Sequence, residues 1–164
     1  MSVTRDIART YRGPGRVVRD RLRGGATEAH GLAILMAGCA LMFVAQWPVL
    51  SRLAFEDPTI PLQARLSGAL IVWVFMMPLA FYILAPLPHL VIRLFGGKGT
   101  WFAARLALFW ALLAATPLWL LNGLVMGFIG PGPAAVLTTV VAGLAFVVFW
   151  GAGLWQIEKA DDAV

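Results

Sequence analysis

The chemistry open to this chain lies in a handful of polar residues. Gly96-Gly97-Lys98-Gly99-Thr100 has the glycines and the lysine of a phosphate-binding loop. Its spacing excludes a nucleotide site, which needs Gly, four residues and then Gly-Lys-Ser/Thr after a strand. A simpler phosphate chemistry remains. Thr100 is placed to cap a following helix, whose first N–H groups favour anions. Lys98, with Arg93 and Arg105 on either side, would complete a site for an anionic lipid headgroup; the plainer reading is a positive turn that fixes orientation. His89 follows Pro86 and Pro88, and no second His, carboxylate or thiol lies close in sequence to make a metal set. With Cys39 the sole cysteine, there is no intramolecular disulfide and no cysteine metal cluster. No Ser/His/Asp arrangement, HExxH or buried carboxylate pair stands out. The expectation is therefore a protein that is not an enzyme, without catalytic residues, cofactor or metal. An enzyme acting on lipid headgroups would require His89 and Arg93 to converge with another acid–base group.

A second polar region precedes all of this. Residues 1–30 hold seven arginines, at 5, 9, 12, 16, 19, 21 and 23. Val3, Ile7 and Tyr11 recur every fourth position, and Gly13-Pro14-Gly15 interrupts the pattern. A second amphipathic helix then sets Val17, Val18 and Leu22 against Arg16, Arg19, Arg21 and Arg23. Basic helices of this kind lie along anionic leaflets, each basic residue contributing about 1 kcal/mol. Arg16, Arg19, Arg21 and Arg23 are thus expected to contact a membrane surface or to fix topology; docking a partner protein is the other use of such a segment. Nucleic acid is not an expected partner.

The elements that must position these groups are set by where charge is missing. Of 164 residues, 60% are hydrophobic and only 13% charged, far from the quarter charged that soluble domains carry. Glu28 and Arg52 enclose 23 uncharged residues, Arg65 and Arg93 enclose 27, and Arg105 and Glu158 enclose 52. Gly130-Pro131-Gly132-Pro133 divides the last run into two stretches of 24. About 20 apolar residues cross a hydrocarbon core. The fold class expected is therefore all-α, an integral membrane protein with four transmembrane helices near 31–51, 66–88, 104–128 and 134–156. Residues 1–30 form a basic cytoplasmic segment, 31–156 the membrane domain and 157–164 a tail. Continuous apolar runs exclude the alternation of a barrel wall. Eleven Lys and Arg fall on the side of the termini and only Arg52 and Arg65 opposite, so both termini are expected in the cytoplasm. A secretory signal does not fit the long basic segment and the long apolar run. Leu35-Met36-Ala37-Gly38-Cys39 is a poor lipoprotein box, since cleavage there would cut the first span.

No Asp, Glu, Lys or Arg lies within a span, which counts against a charge-driven transporter or pump. A channel or transporter for a small neutral or lipidic substrate would need a continuous polar lining through Gln46, Thr116, Asn122 and Thr138 or Thr139. What the spans offer instead is packing. Ala103, Ala107, Ala111 and Ala115 form a stripe, continued by Gly123 and Gly127, that suits close helix approach within the chain or self-association. Pro78 and Pro117 each remove a backbone hydrogen bond and are expected to kink their helices.

His89-Leu-Val-Ile-Arg-Leu-Phe-Gly-Gly-Lys-Gly-Thr-Trp-Phe, followed by Arg105-Leu-Ala-Leu-Phe-Trp and Pro117, resembles the bacterial branch of the Yip1 domain family. Thr10-Tyr11-Arg12-Gly13-Pro14-Gly15 and Gly127-Phe128-Ile129-Gly130-Pro131-Gly132-Pro133 are similar to its small alphaproteobacterial versions. The likeness covers most of residues 4–155. It implies a multi-pass protein of the bacterial inner membrane without a catalytic residue to transfer. The chain departs from eukaryotic relatives in its shortness, its four spans where five are usual and its small N-terminal segment, so their GTPase partnership is not carried over. Its expected role is membrane-organising or scaffolding, in contact with the lipid bilayer, with anionic headgroups, and with a membrane-protein partner or a second copy.

Overall fold

The computed structural model describes residues 3–87 and 100–161. Every element among them is helical. Two short helices come first, α1 (Val3–Arg12) and α2 (Arg16–Arg23), then α3 (Glu28–Glu56). A broken helix follows, made of α4 (Leu62–Leu70), a π-helical stretch (Ile71–Met76) and α5 (Met77–Leu84). Two long helices close the chain, α6 (Trp101–Phe128) and α7 (Pro133–Asp161). Four helices are long and apolar enough to cross a membrane: Glu28–Glu56, Leu62–Leu84, Trp101–Phe128 and Pro133–Ile157. Three match the charge-free runs. The second begins four residues before the expected position because Pro61, with φ fixed near that of a helix start, launches it.

The α3–α6 seam organises the bundle. Gly31, Gly38 and Ala45 recur every seventh residue, which keeps them on one face of α3. Gly31 lies under Phe102 and Phe109, and Gly38 under Leu112. Further along, Gly123 of α6 sits against the Ala45 carbonyl and Gly127 against Pro48, with no room for a side chain at either. Since Gly31 pairs with the start of α6 and Pro48 with its end, the two helices run parallel. The Ala stripe is used on another side: all four alanines are buried, and Ala107 meets Gly153 of α7. The small residues therefore serve packing within the chain. Residues 103–116 of α6 are buried throughout except Arg105, whereas its second half is mostly only partly buried.

The prolines act differently from one another. Pro78 is the second residue of α5, immediately after the π-helical stretch. A proline ring clashes with the turn before it and gives that turn no donor, and the wider π turn absorbs both. Pro117 lies inside α6, which continues through it to Phe128. Its missing N–H frees the Leu113 carbonyl, and the Thr116 hydroxyl donates to that oxygen at 2.7 Å instead. The second span is the least buried of the four, with Phe75, Leu79 and Ile83 turned outward.

Candidate functional site

A polar assembly is built where α1 and α2 meet the bundle. Helix α1 carries a short polar ridge, Asp6 and Thr10, one turn apart. Both are buried. The Thr10 hydroxyl donates to the Asp6 carbonyl at 2.9 Å and accepts from Trp110 Nε1 of α6 at 3.0 Å. One residue on, the Tyr11 hydroxyl donates to the Ala114 carbonyl at 3.1 Å, and its ring meets Phe149 edge-on at 5.0 Å. Burial pushes the Tyr11 phenol above its ordinary pKa, so it stays a donor.

The turn between the two helices is pinned as well. Gly15 has φ +91° and lies against the Ala152 carbonyl and Gln156 of α7. A side chain there would face both a left-handed backbone and a collision. From this turn α2 lays Val17 and Val18 into the core. Arg21 then closes the structure. Its Nη2 donates to Asp6 Oδ2 at 2.8 Å, and its guanidinium lies 4.3 Å from the centre of the Trp110 ring. Trp110 thus gives its N–H to α1 and its face to α2. Arg9 links the same carboxylate to Asp20, at 3.6 and 3.4 Å.

This docking divides the four arginines expected to touch a membrane surface. Arg16 and Arg23 are exposed; Arg19 is half-buried, and Arg21 is committed to Asp6 and Trp110. Arg5 and Arg12, on α1, are exposed too. Of the residues expected to hold a lipid headgroup at the second turn, Thr100 accepts a hydrogen bond from Ala103 N at 3.2 Å and caps α6. Arg105 pairs with Glu28 across the α3–α6 seam. Arg93 and Lys98, and with them His89, lie outside the described residues.

Sequence reasoning missed Asp6, Thr10 and Tyr11 as a docking ridge. The available signal was the single acidic residue of α1, one turn before a threonine in a helix otherwise rich in arginine.

Four of the polar groups within the spans, Thr116, Asn122, Thr138 and Thr139, are paired locally. Thr138 and Thr139 both donate to Asn122 Oδ1, at 2.8 and 3.0 Å. Thr116 bonds its own helix, and Gln46 has no hydrogen-bond partner among the described residues. No three His, Cys, Asp or Glu side chains converge among the described residues. At the opposite end of the bundle, Arg52 pairs with Glu56 at 2.6 Å and lies against Gly130, and Arg65 pairs with Asp57 at 3.1 Å.

The Yip1 domain model matches residues 10–162. That match starts at the buried Thr10 and takes in all four long helices. No curated protein and no solved structure matches the chain.

Proposed function

This chain belongs to the Yip1 domain family, and from that premise we propose that it is a non-catalytic, membrane-organising protein of a bacterial cytoplasmic membrane. Its four long apolar helices and its family make it a multi-pass membrane protein. The finer reading is carried by one observation. The α1–α2 hairpin is built into the membrane domain through Trp110, Ala114 and Ala152, yet leaves Arg5, Arg12, Arg16 and Arg23 exposed. A segment needed only for topology has no use for such docking. A segment that holds a rigid basic surface against lipid or a partner does. On this reading the hairpin faces the cytoplasm, in line with the excess of Lys and Arg on that side.

The test is purification of the tagged chain in mild detergent, with co-purifying proteins and lipids identified by mass spectrometry. A companion variant carries Arg5, Arg12, Arg16 and Arg23 all changed to Gln. A partner or lipid class enriched with the parent and lost with the variant is the expected result. Reconstitution into vesicles supplies the opposing outcome: passage of small neutral solutes through the parent chain would replace the organising role with transport.

A further inference from the structure

The exposed arginines of the hairpin are not evenly spread. Arg5, Arg9, Arg12 and Arg16 surround a single concavity of about 490 Å³, with Ala8, Tyr11 and Val17 supplying its apolar walls. No carboxylate lines it. Arg9 is held by Asp6 and Asp20, whereas Arg5, Arg12 and Arg16 make no ion pair among the described residues. Three guanidinium groups around one hollow, without an ion pair among the described residues, repel each other, and each can meet a phosphate with two N–H groups.

The level of the hollow decides what brings that phosphate. Gly15, at the turn, lies beside Gln156, in the polar last turns of α7, while the Tyr11 ring packs on Phe149 two turns deeper. The Tyr11 hydroxyl reaches Ala114, nine residues beyond Arg105 and so about 13 Å further along α6. Arg105 and Glu28 mark the polar edge of the seam. On these levels the concavity falls in the layer where lipid phosphates sit above acyl chains, and both arginines and apolar side chains line it.

We infer that the hollow bounded by Arg5, Arg12 and Arg16 seats the phosphate of one anionic phospholipid. This rests on the proposed role of the hairpin as a membrane-contacting surface, and makes that contact a stoichiometric site rather than a diffuse attraction.

The test uses the full chain in a neutral detergent, titrated with phosphatidylglycerol or phosphatidylcholine and read by native mass spectrometry. One phosphatidylglycerol per chain is expected to be retained, and phosphatidylcholine not. R12Q and R23Q remove the same charge from exposed positions with no ion pair among the described residues, so both variants keep the docked fold. A built site predicts that R12Q weakens retention about tenfold, the worth of one charge-assisted contact, and R23Q less than twofold. Equal losses of about fivefold in both would overturn the site and leave diffuse adhesion in its place. Displacement of the lipid by equimolar inorganic phosphate would overturn the lipid assignment and identify a site for the free ion. Solute passage in the vesicle experiment is a separate readout, so failure of the organising role is told apart from failure of the site.

Discussion

Trp110 engages two neighbours with two different parts of one ring, and that division makes its contribution separable. Phenylalanine at this position keeps a face for Arg21 but loses the N–H that Thr10 accepts. W110F is expected to weaken docking by about 1 kcal/mol, seen as roughly fivefold faster tryptic cleavage after Arg12 and Arg23. D6N removes the carboxylate shared by Arg21 and Arg9 and should loosen the hairpin further, by about 1.5–3 kcal/mol; cleavage no faster than in the parent would show that the ion pair does not hold the hairpin. A different residue reports on pH. The Thr59 hydroxyl and then its backbone N–H, with help from Arg65, hold the Asp57 carboxyl below its ordinary value of 3.8. The order this gives the turn is complete above the ordinary carboxylate range and is lost as pH falls through the lowered pKa. T59V should move the Asp57 midpoint upward, toward 3.8, in a carboxyl carbon NMR titration.

Between helices, the decisive distances are between backbones. At Gly123 even a methyl group would collide with the Ala45 carbonyl, while at Gly143 of α7 nothing lies within contact. G123A should therefore lower stability by about 1–3 kcal/mol, the ordinary cost of overpacking. G143A should be neutral or stabilising by up to about 1 kcal/mol. Thermal unfolding in detergent distinguishes them, and equal melting temperatures would count against the seam. T116V leaves the Leu113 carbonyl freed by Pro117 without its donor and should cost about 1–3 kcal/mol. At this scale the sequence is only partly readable. Charge-free runs locate spans because crossing hydrocarbon demands them, and the small-residue stripe marks close packing. Which helix fills the space left by those small residues depends on tertiary pairing. The π turn before Pro78 is likewise a local answer to a clash, and no residue pattern announces it.

For the molecule as a whole, the contacts of Glu28 with Arg105 and of Gly15 with Gln156 bring the N-terminal hairpin, the start of α3, the start of α6 and the end of α7 to one end of the bundle. Asp57, Arg65 and Gly130 occupy the other. With the buried Cys39 changed to Ala, cysteines introduced singly at Thr59 and Arg23 are expected to label differently. An impermeant thiol reagent should reach the first in intact cells and the second only after permeabilisation; the reverse would invert the orientation. Fold class could be argued from composition because it follows from the bilayer's demands on any chain. The hairpin site could not, since it joins Arg5 and Arg12 to Arg16 across a turn and depends on partners about a hundred residues away.

That separation has a consequence for how the protein is made. Thr10 and Tyr11 find their partners 100 and 103 residues later, and Gly15 closes on Ala152. At about 5–20 residues per second, the leading segment leaves the ribosome on the order of ten seconds before the last of these contacts exists. During that interval its arginines are tethered to nothing downstream and can hold the emerging chain at the membrane surface while later spans are threaded. A chain truncated before α6 would lack Trp110 and Ala114 and keep this arm undocked, a visible mark of incompleteness to any protease that surveys nascent membrane proteins.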